Sequence, residues 1–131
     1  MSNEACQYGC PVEATLDVIG GKWKGVILYK LLERPMRFSE LKRELPAITQ
    51  RMLTLQLREL EEDGLVHREI YKEIPPRVEY SLTKFGKTLE PILLAMLTWG
   101  DQYTSQILTR KSAQAATSLS SPKQFADEKR T

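Results

Sequence analysis

The chain has 131 residues, 41% apolar and 27% charged, which describes one ordinary globular domain with room for one modest core. Its 19 basic and 17 acidic residues leave a formal net charge of +2, so any role on a polyanion must rest on where the charges lie. No run approaches the ~18 uninterrupted apolar residues of a membrane span. The N-terminus, MSNEACQYGCPVE, lacks the basic and apolar regions of a signal peptide, so a cytoplasmic protein with no membrane partner is expected.

Residues 11–20 read as a short helix, with Pro11 suited to a first helical position and Leu16 and Ile19 at helical spacing. Gly20-Gly21 breaks it. A second helix, KWKGVILYKLLE, carries Trp23, Ile27 and Leu31 in one stripe with Val26 beside it, and Arg34-Pro35 ends it. Met36-Arg37-Phe38 is long enough for only one short strand. Ser39 then opens a third helix as its cap, and Pro46 stops it. Thr49 caps the fourth helix, TQRMLTLQLRELEEDG. Leu53, Leu57 and Leu60 recur there at i, i+4 and i+7, and Gly64 sits where a C-cap glycine belongs.

Two strand-like runs follow, joined not by Asn-Gly or Asp-Gly but by Lys72-Glu73-Ile74-Pro75-Pro76-Arg77. The return strand alternates cleanly, Val78, Tyr80 and Leu82 against Arg77, Glu79 and Ser81. In the outgoing strand Arg68 interrupts the Val66–Ile70 face, so its existence is clearer than its register. Thr83 caps a last helix expected to reach about residue 108, kinked or restarted at Pro91. Phe85, Leu89, Ile92, Met96 and Tyr103 form one stripe, and Leu93, Leu94, Leu97 and Trp99 widen it almost all the way round. Residues 109–131 lack a core stripe and read as a disordered tail, and residues 1–9 as a flexible arm.

The expected fold is therefore mainly α with a small β-sheet (α+β), a winged helix-turn-helix. Catalytic equipment is thin. His67 is the sole histidine, and with Cys6 and Cys10 it makes only three zinc ligands, one of them far away in sequence. No Gly-rich phosphate loop, Gly-x-Ser-x-Gly elbow or His-Glu-x-x-His occurs. We expect no enzyme, no metal and no cofactor.

The charges are unevenly spread. Residues 34–58 carry Arg34, Arg37, Lys42, Arg43, Arg51 and Arg58 against Glu40 and Glu44, while Glu59, Glu61, Glu62 and Asp63 gather beyond them. The leucine stripe of the fourth helix leaves Gln50, Arg51, Thr54, Leu55 and Arg58 facing outward. Arg and Gln can pair with guanine and adenine edges, Thr offers a hydroxyl and a methyl, and Leu55 is cheap to bury against a thymine methyl. Thr49 and Ser39, at helix starts, join this set as candidate DNA contacts, since backbone N–H groups there favour phosphate. The hairpin tip then reads as a wing. Its prolines reduce the freedom lost on docking, Lys72, Pro76 and Arg77 reach the DNA backbone or minor groove, and Glu73 must turn aside.

Cys10-Pro11-Val12-Glu13 and Leu16-Asp17-Val18-Ile19-Gly20-Gly21-Lys22-Trp23 resemble the opening signature of the HxlR-type winged-helix regulators, which are related to the MarR type. So do Arg37-Phe38-Ser39-Glu40-Leu41, Leu57-Arg58-Glu59-Leu60-Glu61-x-Asp63-Gly64-Leu65, Pro75-Pro76-x-Val78-Glu79-Tyr80-x-Leu82-Thr83 and Trp99-Gly100. The resemblance spans about residues 10–100 in order. It implies a homodimeric bacterial transcriptional regulator, most simply a repressor, that binds double-stranded DNA. The expected domain is residues 10–108, with dimerisation helices at both ends.

The nearly all-round apolar last helix independently asks for a symmetry mate, and an inverted-repeat operator follows from the twofold axis. Leu16, Leu89, Ile92, Leu93, Met96, Leu97, Trp99 and Tyr103 are the expected interface. In some HxlR-type proteins the cysteine of the Cys-Pro pair senses oxidants or electrophiles. That role carries to Cys10, at a helix start where the dipole favours a thiolate, with Cys6 as a resolving thiol. A small buried structural cysteine is the alternative. Two rival functions remain: a regulator whose effector pocket lies between the dimer helices, lined by Trp23, Tyr29 or Trp99, and a thiol-redox enzyme using Cys6 and Cys10.

Overall fold

In the computed structural model, which describes residues 9–120, the helix ends fall where local chemistry puts them. Helix α1 (Pro11–Ile19) starts on its proline, and Gly20-Gly21 leads into α2 (Lys24–Glu33). Strand β1 (Met36–Arg37) is followed at once by α3 (Phe38–Glu44), then α4 (Gln50–Glu62), β2 (Val66–Tyr71), β3 (Arg77–Leu82), α5 (Lys84–Lys87) and α6 (Glu90–Ser120). The strands form one antiparallel sheet in the order β1-β3-β2, with Met36 opposite Tyr80, and Val66, Arg68 and Ile70 opposite Leu82, Tyr80 and Val78. The mainly α chain with a small sheet is thus confirmed as a winged helix-turn-helix.

Caps explain most boundaries. Thr49 Oγ1 accepts the Met52 N–H at 3.1 Å, and Thr83 Oγ1 accepts the Gly86 N–H at 2.9 Å while donating to the Gly64 carbonyl at 2.6 Å. At the end of α4, Leu65 N–H reaches back to the Leu60 carbonyl and Gly64 N–H to the Glu61 carbonyl, both at 3.0 Å. This closure needs a left-handed residue, and Gly64 takes φ +77°. Ser39 does not cap α3. The helix already starts at Phe38, and Glu40 Oε1 instead accepts the Arg37 N–H at 3.0 Å, so the side chain that satisfies the end lies inside the helix.

The core is assembled from one face of each element. Ile27, Leu28 and Leu31 of α2, Leu41 of α3, Leu53, Leu57 and Leu60 of α4, and Val66 and Leu82 of the sheet are all buried. Burial at i, i+4 and i+7 on α4 is what the leucine spacing predicts. Lys24 of α2 pairs with Glu59 of α4 at 3.0 Å, and Lys30 of α2 with Glu44 of α3 at 3.4 Å.

The last helix restarts at Glu90, with α5 a separate turn, as Pro91 led us to expect, because proline is tolerated only in a helix's first turn. It departs from expectation in two other ways. Its Leu93, with Leu89 just before it, is buried in the core, so both are held within the protomer. It also runs to Ser120 rather than 108, because Ala113, Gln114, Ala115 and Ala116 are good helix formers that need no core stripe. Residues 121–131 of the expected tail, and residues 1–8 of the arm, Cys6 among them, lie outside the described residues. The chain divides into a unit ending at Leu94 and one beginning at Ala95. In the second, Trp99 and Tyr103 stack with centroids 5.1 Å apart.

Candidate nucleic-acid interface

Helix α3, the buried turn residues Leu45 and Ile48, and α4 make a helix-turn-helix that fixes which face of α4 is free. Gln50, Arg51, Thr54, Leu55 and Arg58 line one open concavity of about 630 Å³. The five residues expected to face outward are therefore brought together. Thr49 is committed to its cap, and Ser39 is exposed at the second position of α3. The Thr54 hydroxyl donates to the Gln50 carbonyl at 2.9 Å, which leaves its methyl and the oxygen's lone pairs, but no proton, for any partner.

Ion pairing differs among the cations. Among the described residues, Arg51, Arg58, Arg68 and Lys72 enter no ion pair, whereas Lys24, Lys30, Arg34 and Arg77 all do. Arg34 Nη1 meets Glu40 Oε2 at 2.9 Å. The Arg37 backbone N–H beside Glu40, and then the Arg34 guanidinium, hold the Glu40 carboxyl below its ordinary value.

The wing is built differently from its sequence reading. Lys72, Ile74, Pro75 and Pro76 are exposed, Ile74 completely so, and Ile74–Pro75 is a cis peptide. Glu73 does turn aside, but onto Arg77. Arg77 Nη2 lies 3.3 Å from Glu73 Oε1, its Nη1 lies 3.9 Å from Glu79 Oε2, and its guanidinium sits 4.1 Å from the Tyr71 ring centroid. Arg77 is a brace across the base of the tip, and Lys72 is the cation left free there.

One cluster escaped the sequence reading. Between α4 and the sheet, Thr54, Arg58, Glu61, Arg68 and Tyr80 line a cleft of about 320 Å³. The signal for it was the interruption at Arg68, which marks where the sheet face leaves the core. His67 faces away from this and meets Glu69 at 3.1 Å. No three metal-ligating side chains cluster among the described residues.

Cys10 is the exposed N-cap residue of α1, so it is not a buried packing cysteine. Glu13, one turn on, accepts the Gly9 N–H at 3.1 Å. Of the expected dimer residues, Leu16, Ile92, Met96, Leu97 and Trp99 are exposed, Tyr103 is half-buried, and Leu89 and Leu93 are buried. Trp23 packs against the core and borders a shallow groove of about 380 Å³ with Gly20, Gly21, Lys22, Lys24, Met52, Gln56 and Glu59. Tyr29 does not line that groove. No helix of the described residues is long and apolar enough to cross a membrane.

Residues 18–108 match the HxlR-like helix-turn-helix family. The chain is 60% identical over 108 residues to YdeP, an HTH-type transcriptional regulator of Bacillus subtilis (strain 168), covering 82% of this chain and 84% of that one. Among solved structures, the redox regulator HypR in its oxidized form superposes with a TM-score of 0.70 at 66% identity, covering 71% of this chain and 96% of that one. Its reduced form gives 0.72 at 60% identity, covering 76% and 99%. The chain belongs to the HxlR-like helix-turn-helix family of transcriptional regulators.

Proposed function

We propose that this regulator is a cytoplasmic, homodimeric repressor that reads an inverted-repeat operator in double-stranded DNA. The observation that carries this reading is the outward face of α4. Gln50, Arg51, Thr54, Leu55 and Arg58 share one concavity, and both arginines lack an internal anion. Arg51 and Gln50, near the helix N-terminus, read base edges in the major groove. Leu55 and the Thr54 methyl meet thymine methyls or sugars. Lys72 and Pro76 of the wing meet the backbone or adjacent minor groove, with Arg77 holding the tip in shape.

Dimerisation uses the apolar residues that the protomer leaves exposed: Val12 and Leu16 on α1, and Ile92, Met96, Leu97 and Trp99 on α6. Each protomer then presents one α4 to one half-site. The effector is an oxidant or electrophile that reacts with Cys10, whose exposure permits it. The likeness to HypR, described as a redox regulator, supports that signal. A second reading is favoured by the groove at Trp23. A small molecule bound there would touch Met52 and Gln56 of α4 directly, and a thermal-shift ligand screen separates this signal from the thiol.

The experiment is selection of bound duplexes from genomic fragments under reducing conditions, repeated with diamide. One enriched inverted repeat that is released by diamide, but not from Cys10→Ser, is expected. No enrichment under reducing conditions defeats the DNA reading. Release from both proteins, or from neither, defeats the Cys10 signal alone.

A further inference from the structure

A helix in the major groove and a wing on the adjacent groove straddle one sugar-phosphate strand, because that strand is what separates the grooves. On this chain it must pass over the notch between α4 and the sheet. The notch is the cleft lined by Thr54, Arg58, Glu61, Arg68 and Tyr80. We infer that Arg58 and Arg68, with the Tyr80 hydroxyl, form a clamp for a single DNA phosphodiester, a site that adjoins the base-reading face, shares Thr54 and Arg58 with it, and rests on the DNA reading above.

The odd placement of Arg68 carries the inference. Along β2, Val66, Arg68 and Ile70 share a face with Leu82, Tyr80 and Val78 of β3. Val66 and Leu82 are buried in the core, so the same face one step outward would ordinarily carry another apolar residue. It carries an arginine instead, exposed, with no ion pair among the described residues. Arg58 reaches the same cleft from α4 and is likewise unpaired. Two guanidiniums that line one cleft repel each other, and Glu61 offsets only one of the two charges, so an entering anion relieves the remainder.

The charge count favours a phosphodiester. Two arginines and Glu61 leave the cleft with one net positive charge, which matches the single negative charge of a backbone phosphate. Guanidinium forks suit its two free oxygens, and a tyrosine hydroxyl adds a further donor. Glu61, at the α4 side, opposes entry of a second anion.

The test uses the full chain and a duplex enriched by the wild-type protein, with methylphosphonate placed at each backbone position in turn. Arg68→Gln is expected to weaken binding about tenfold or more. The loss is equal on enriched and random duplexes, and the slope of log K against log salt falls by about 0.9 for each phosphate freed. Tyr80→Phe gives a smaller loss in the same direction. The decisive result is local: one methylphosphonate that weakens the wild-type complex costs the Arg68→Gln complex nothing further. If every position keeps its wild-type penalty in the variant, the clamp is wrong. If Arg68→Gln binds like wild type while Arg51→Ala loses discrimination, the clamp falls and the DNA reading stands. If the wild-type protein enriches no duplex, both fall.

Discussion

Arg77 stands directly across the sheet from Tyr71, and its guanidinium covers the Tyr71 ring at 4.1 Å. Tyr71 ends β2 and Arg77 begins β3, so this stacked pair closes the wing just below its tip. Glu73 and Glu79 hold the same guanidinium from two sides. A residue so engaged shapes the tip more than it attracts phosphate.

The two wing cations should therefore separate experimentally. Lys72→Ala is expected to lower the slope of log K against log salt by about 0.9, as for one lost phosphate contact. Arg77→Ala is expected to change that slope much less while weakening binding through a looser tip. Anisotropy titrations across a salt series measure both. Equal slope changes would show that Arg77 also contacts DNA.

The apolar residues of α6 divide in the same way. Leu93 is 2% exposed and Leu97 46%. Leu97→Arg should give a folded monomer with little operator affinity. Leu93→Arg should fail to fold, and Leu93→Ala should cost about 2–5 kcal/mol, as for other buried leucines cut to alanine. Circular dichroism and sedimentation distinguish the outcomes. An intact Leu97→Arg dimer would move the interface elsewhere.

Gly86 has a role in packing. A Cβ there would lie 2.1 Å from the Leu65 carbonyl oxygen, with backbone on both sides of the clash. Gly86→Ala should lower stability by about 1–3 kcal/mol, the usual cost of forcing atoms into a filled space. Urea denaturation reads it. An unchanged midpoint would mean α5 shifts freely against the strand that follows α4.

Glu40 couples the start of α3 to pH. Its folded pKa is depressed, first by the Arg37 N–H and then by Arg34. A depressed carboxyl stabilises the fold above its unfolded value, 4.5, and that contribution fades as pH falls through the lower folded value. Glu40→Gln should flatten the stability profile below pH 4.5 and leave its shape at neutral pH intact. Denaturation midpoints across an acid series check this. Parallel profiles for both proteins would remove Glu40 from the acid response.

Much of this architecture was legible from residue types at fixed spacing. Leu53, Leu57 and Leu60 announced the buried side of α4, and so its free side, because only one face of a helix can reach the core. Thr49, Gly64 and Thr83 each satisfy backbone groups within a few residues, and local chemistry of that kind is visible in a string. What stayed hidden depends on neighbours brought by folding. Ser39 is a good cap by type, yet Glu40 reached the Arg37 N–H first. Arg77 looked free until Tyr71, Glu73 and Glu79 closed on it. Leu89 and Leu93 were indistinguishable from Leu97 by pattern, because nearly every face there is apolar. The cleft at Arg68 joins a helix to a strand, a relation no periodicity encodes.

The most direct measurement compares wild type and Arg51→Ala on an enriched duplex and on random duplex at one fixed ionic strength. Loss of a base-edge contact is expected to cost about 1–3 kcal/mol on the enriched duplex and far less on the random one, so the ratio between them collapses. Equal losses on the two duplexes would contradict the claim that the exposed face of α4 reads bases.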